Sequence, residues 1–322
     1  MKPPVSLLLL TVWNGAAVGA VVTLALCAPG LPRALVEPAV AVALVLGAGG
    51  GAASFFHMHR LTAARYVLSR LRTSWLSREA LTTGLFVAAT AATLALGRSP
   101  ASPGVWRAAQ AVTACLGLAA AFVTAMIYRT IPAMRSWHSP WTVPAMMGVG
   151  LVSGAAVAAA VLALAGAPTT VRGELDAAVG AAGLLLGGVK IRQWTVFAGA
   201  WAWLDRQHAG LGPVAYRLHD TGTSRPPYRT QTQVWPAVPA PVRRRLKAGI
   251  LVALVGGSVL LAFSTPLPPV TVGAAATVLA GAFLERWLFF ADAVHSSRLW
   301  FTDRPQTQTA PVGRPSARSF RP

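Results

Sequence analysis

The chain has 322 residues, of which 54% are hydrophobic and only 11% charged, with a formal net charge of +19. A soluble domain carries about 25% charged residues, so this composition excludes a water-covered globular fold and points to membrane spans. It also excludes nucleic acid as the partner of the positive charge, because the cations are scattered over separate connections with no recognisable binding motif.

Crossing a bilayer takes about 20 mostly apolar residues as a helix. Such runs occur at roughly 5–28, 38–56, 80–97, 108–127, 142–166, 175–192, 247–265 and 269–290. They predict an all-α fold, a polytopic membrane bundle of eight helices filling residues 1–302. The runs are continuous, whereas the strands of a membrane barrel would alternate. Lys2 precedes the first run as it would in a signal peptide, but the run is too long for one and reads as an uncleaved span. Between the second and third runs lies FFHMHRLTAARYVLSRLRTSWLSREAL (55–81), with two of the six histidines and five arginines. Its Leu61, Ala64, Leu68, Leu71 and Trp75 recur at helical spacing and predict a short helix with one apolar stripe. Ser77 is the expected cap of span three, with Glu79 in its first turn. Residues 193–246 form the large connection. WTVFAGAWAWL (194–204) reads as an interfacial stretch and 221–242 as an irregular loop. Residues 303–322 read as a disordered tail.

Eight spans put both termini and the even-numbered connections on one side of the membrane. That side receives 24 of the 28 lysines and arginines, Lys190 and Arg286 among them. Arg33, Arg98, Arg107 and Arg172 fall on the other. The asymmetry predicts cytoplasmic termini in a cell inner (plasma) membrane, with the cations meeting anionic lipid or an acidic partner.

The chemistry available inside such a bundle is limited. Cys27 and Cys115 stand alone, without a C-x-x-C, and are expected to be small core residues that offer no metal site. His138, His208, His219 and His295 fall outside the spans. His57 and His59, about 200° apart on a helix, are not placed to flank one haem, so neither haem nor metal is expected. What remains is His57, closing span two, and Glu79, opening span three on the same side. Arginines at a membrane rim are ordinary, but an ionisable pair at an apolar boundary is costly and defaults to a functional hypothesis. A histidine exchanges protons near neutral pH and a carboxylate can pass them to water. That suits a quinol, which sheds two protons with two electrons; transporters use such pairs as well.

Three segments carry a resemblance: LRTSWLSREAL (71–81), MIYRTIPAMRSWHSPWT (126–142) and ERWLFFADAVH (285–295). With them the chain resembles the membrane anchor subunit of the DMSO reductase family, an eight-helix, quinol-oxidising subunit of molybdopterin oxidoreductase complexes. In that family a histidine ending the second helix and a glutamate 22 residues later belong to the quinol site, which the resemblance carries onto His57 and Glu79. The family's His-Leu-Gly turn followed by Pro is replaced here by His57-Met58-His59-Arg60, which makes His59 a second candidate. The resemblance implies oxidation of menaquinol or another quinol in anaerobic respiration. His57 would accept a proton from the ring hydroxyl, Glu79 would relay protons to water, and Arg60 and Arg78 would stabilise the developing anion. Electrons would pass to a four-cluster iron–sulfur subunit and on to a molybdopterin catalytic subunit, docked by the basic connections. Two other classes stay open: a secondary transporter, for which GAGGG (47–51) is a candidate helix break, and a purely structural anchor.

Overall fold

The computed structural model describes residues 3–27, 30–56, 61–203, 238–265 and 267–293. Among these there are no strands, and eight long helices follow one another: α1 (Val5–Cys27), α2 (Arg33–Phe55), α3 (Trp75–Gly97), α4 (Pro103–Arg129), α5 (Thr142–Leu164), α6 (Thr169–Trp203), α7 (Ala240–Ala262) and α8 (Pro268–Ala291). Seven of them are long and apolar enough to cross a membrane. The other, α6, has 35 residues and carries charges toward both ends. At 1.5 Å per residue it is about 52 Å long, more than a whole bilayer with its headgroups.

The all-α, polytopic bundle expected from the sequence is therefore present, and the differences lie at the edges of its elements. In the stretch read as interfacial, residues 194–203 continue α6 as its last turns, and Phe197 is buried. α7 starts at Ala240, seven residues before the apolar run at 247, because Pro239 and Pro241 suit a helix start and the Arg-rich turn is compatible with helix. The predicted amphipathic α-helix between spans two and three is a 3-10 helix, Leu61–Arg70. With three residues per turn it does not gather a stripe spaced by threes and fours. Span three is capped by Ser74, whose hydroxyl accepts from the Ser77 backbone N–H at 3.4 Å, so Glu79 lies in the second turn. Cys27 and Cys115 are exposed rather than buried. In a membrane bundle this carries little cost, since lipid tails are as apolar as the core. α2 runs unbroken through 47–51, which removes the feature that favoured a transporter. The disordered tail at 303–322, and residues 204–237 of the large connection, lie outside the described residues.

The bundle is organised around α1 and α5, which lean on each other through glycines. Each helix has a G-x-x-x-G pair at the crossing, Gly15 and Gly19 on α1, Gly150 and Gly154 on α5. A Cβ on Gly154 would come within 2.2 Å of the Ala16 carbonyl oxygen, and one on Gly19 within 2.5 Å of the Gly150 carbonyl oxygen. Small residues let two backbones meet where lipid supplies no hydrophobic drive. α2, α4 and α8 pack around this pair; α3 covers α2 and α4, and α6 and α7 lie beyond α5 and α8. Large side chains such as Leu85, Val112, Leu184 and Leu185 stay exposed on the periphery, as expected of a surface that faces lipid. Interior polar side chains pair across helices. Thr93 and Thr113 hydrogen-bond across α3 and α4 at 2.8 Å, and Trp106 Nε1 donates to the Thr93 carbonyl at 3.1 Å.

Successive helices run antiparallel. The start of each odd-numbered helix and the end of each even-numbered one therefore share one face, here the N-terminal face. The starts of α1, α3 and α5 and the ends of α4, α6 and α8 meet there, and with them most of the buried ionisable side chains.

Candidate functional site

The approach to α3 fixes the first of these. Arg78 donates from Nε to the Leu71 carbonyl at 2.9 Å and from Nη2 to the Arg72 carbonyl at 2.6 Å, and its guanidinium lies 4.3 Å from the Trp75 ring centre. These bonds close the turn before α3 and turn Arg78 away from the interior. The next residue, Glu79, points inward and is buried. Thr124 of α4 donates to its Oε1 at 2.7 Å. One turn further along α3, Thr83 accepts a hydrogen bond from Asn14 Nδ2 of α1 at 3.3 Å.

Glu79, Thr124 and Asn14 line a cavity between α1, α3, α4, α5 and α8. Arg286 of α8 and Met146 of α5 share that lining, and Leu10, Val18 and Leu151 give it apolar walls. Asn14 Oδ1 is buried there without a hydrogen-bond partner among the described residues. Where α1 and α5 border the cavity, Gly15 and Gly150 contribute no side chain, so the close helix crossing and the open space occur at the same level. Such a concave, mostly apolar site with a few converging polar groups fits a small amphipathic ligand.

Behind Arg286 lies a second layer of charge. Its Nη2 donates to the Met146 carbonyl at 3.0 Å, and its Nη1 lies 3.2 Å from Glu285 Oε2. Glu285 and Arg286 are adjacent on α8 and so point about 100° apart. Arg286 reaches the cavity, while Glu285 reaches α6, where Lys190 Nζ pairs with its Oε1 and also donates to Gln193 Oε1. Lys190 and Glu285 are each 1% exposed and Arg286 2%. The sequence assigned Lys190 and Arg286 to the water-facing rim. They are interior: Lys190 finds its carboxylate partner across the α6–α8 contact, and Arg286 is held by its neighbour Glu285 and by the Met146 carbonyl of α5. Nearer the rim, Arg243 of α7 pairs with Asp292 at 2.9 Å.

Between this layer and the N-terminal face sits an aromatic cluster. Trp137 stacks on Phe289 with centroids 5.4 Å apart at 11°, and Tyr128 meets both edge-on. The indole N–H of Trp137 donates to the Phe289 carbonyl at 3.1 Å. The α4–α5 connection is thereby fastened to the end of α8. His138 in that connection is bonded through Nδ1 to the Arg129 carbonyl at 2.9 Å, away from the cavity.

Of the residues singled out by sequence, Glu79 is in the cavity and Arg78 is not among its lining residues. His57, His59 and Arg60 lie outside the described residues. The sequence reading missed Asn14, Thr124, Lys190, Glu285 and Arg286. A signal for the last three was present: ionisable residues that fall within or at the edge of apolar runs are costly at that depth and therefore informative. Thr124 and Asn14 carried no such signal, since single polar residues are common in spans. The three segments 71–81, 126–142 and 285–295, far apart in the chain, supply Glu79, the Tyr128 and Trp137 cluster, and Glu285 with Arg286, all at one end of the bundle.

Comparison with known proteins adds two findings. The family model described as DMSO reductase anchor subunit (DmsC) matches residues 1–198, which contain α1 to α5 and most of α6. A sulfite dehydrogenase subunit from Allochromatium vinosum is 30% identical over 281 residues, covering 81% of this chain and 84% of that protein.

Proposed function

This chain belongs to the DMSO reductase anchor subunit family, and on that premise we propose that its cavity is a quinol site. There the membrane anchor of a molybdoenzyme complex would draw electrons from menaquinol or a related quinol. The observation that carries the proposal is the convergence of Glu79, fixed by Thr124, with Arg286 on one cavity walled by apolar side chains. A quinol ring suits the apolar walls, and its hydroxyl needs a polar partner and a proton acceptor. Glu79 accepts the proton of one hydroxyl, and the hydroxyl of Thr124 holds the carboxyl in place for it. His57 or His59, two to four residues beyond the end of α2, serves as the second proton acceptor. α2 and α3 run side by side here, with Gly51 4.0 Å from the Thr83 side chain by its missing Cβ, so the end of α2 borders the Glu79 region.

The electrons then pass to a partner, a four-cluster iron–sulfur subunit followed by a molybdopterin catalytic subunit. The basic start of α7, Arg243 to Arg245 with Lys247, lies on the N-terminal face and gives that partner a cationic surface. The plasma membrane is the proposed location, and anaerobic electron transport the proposed setting. A second reading reverses the flow, with quinone taking up electrons and protons at the same groups. The relative's name favours it, since that protein belongs to a dehydrogenase.

The test uses the assembled complex in membranes, with a quinol or quinone analogue measured beside an artificial dye that exchanges electrons with the partner directly. Glu79→Gln and His57→Ala are expected to lower quinol-linked turnover by about 10² to 10⁴ and to leave dye-linked turnover intact. Native quinol-linked turnover in both variants would refute the site.

A further inference from the structure

The inner charge cluster does not balance. Lys190 and Arg286 are cations and Glu285 is one anion, so the three sum to one positive charge in the interior. Burying an ion costs several kcal/mol even after relaxation, and an uncompensated one does not persist without an opposing charge nearby. The acidic side chain that shares the cavity lining with Arg286 is Glu79. The Nη1 of Arg286, although 3.2 Å from Glu285, has no hydrogen bond among the described residues. The guanidinium, with Nη1 facing Glu285 and Nη2 on the Met146 carbonyl, is held at the cavity wall as its cation.

We propose that Arg286, backed by Glu285 and Lys190, is the anion-holding residue of this cavity, so that the site binds the deprotonated form of a hydroxylated quinone ring whenever Glu79 is protonated. The inference rests on the quinol reading and adds to it the charge state of the bound ring. The step balances simply. The ring O–H bond breaks, its proton forms a bond with the Glu79 carboxylate, and the negative charge moves from Glu79 to the ring oxygen; no electron is transferred. The cluster holds one excess positive charge before and after, so the transfer occurs between two anion positions around one fixed cation. Arg60 and Arg78, the arginines expected to do this from sequence, are not needed for it. Arg78 is engaged with the Leu71 and Arg72 carbonyls.

The probes are a 3-alkyl-2-hydroxy-1,4-naphthoquinone, which ionises below neutral pH, and its 2-methoxy ether, which has the same ring and no charge. Affinity of both is measured on the membrane-embedded complex near pH 7. Arg286→Gln is expected to weaken the hydroxy compound by about tenfold or more and the ether by less than about threefold, and Arg286→Lys to restore most of the difference. Glu79→Gln, which removes the competing anion, is expected to tighten the hydroxy compound alone. The double variant Lys190→Met with Glu285→Gln keeps the charge sum and is expected to keep the preference, which also guards against misfolding of any one variant. Equal loss of both compounds in Arg286→Gln, or no change in either, overturns the proposal. If neither compound binds the native complex, the quinol reading fails and this proposal falls with it.

Discussion

Thr124 donates a 2.7 Å hydrogen bond to the carboxylate of Glu79, a residue 45 positions earlier in the chain on the neighbouring helix. The bond fixes one oxygen of a buried carboxyl that otherwise has little to orient it. Thr124→Val keeps the shape of the side chain and removes the donor. A hydrogen bond to a charged group is worth about 1.5–3 kcal/mol, so quinol-linked turnover is expected to fall by about tenfold or more, with dye-linked turnover unchanged. Thr124→Ser should recover most of it. A Val variant with native quinol-linked turnover would show that Glu79 does not need this orientation.

The α1–α5 crossing gives a prediction about stability. A Cβ at Gly154 would press on the Ala16 carbonyl oxygen at 2.2 Å and on the Ala20 nitrogen at 2.4 Å, both backbone atoms that cannot step aside. Gly154→Ala is expected to lower the stability of the detergent-solubilised protein by about 1–3 kcal/mol, the usual range for an overpacked interior. Gly188→Ala on α6 meets nothing within 4 Å and should leave the midpoint of thermal unfolding within a degree or so, or raise it, since alanine favours helix. Equal midpoints for the two variants would contradict the close crossing.

Lys190 and Glu285 pair across α6 and α8, 95 residues apart. Removing one partner of a buried ion pair leaves the other uncompensated and costs about 3–5 kcal/mol. Lys190→Met alone is therefore expected to destabilise the fold by that order. The double change with Glu285→Gln should cost clearly less than the two single changes summed. Unfolding of the four proteins in one detergent gives the coupling energy. Strict additivity would mean that the two side chains do not act as a pair.

The antiparallel order of eight helices puts the start of α1 and the end of α8 on the same face, and the sequence assigns that face its excess of cations. Reporter fusions at residue 322 and after residue 100 are expected to give opposite signals, with the tail cytoplasmic. A tail on the outside would move the cavity and the basic start of α7 to the other face, and with them the docking side of the partner.

The sequence by itself determined that the chain lives in a membrane as helices, because a charge content this low leaves no other way to satisfy backbone and surface at once. It also determined where most helices run and that Glu79 lies near the start of the third, one turn further in than expected, since apolar length and a lone acid are local properties of the chain. It misplaced the edges of α6 and α7, where helix continues past the apolar run. What only the tertiary structure decided is which polar side chains meet. Thr124 and Asn14 look like ordinary span residues until α1, α3 and α4 are brought together. Lys190 and Arg286 look like rim cations until α8 brings Glu285 to Lys190 and α5 brings the Met146 carbonyl to Arg286. Pairing of this kind depends on helix rotation and crossing, set by contacts such as Gly15 on Gly150. The physical reason lies in the medium: in lipid the hydrophobic pattern does not say which face of a helix is inside, so small residues and buried charges, acting over long sequence separations, settle it.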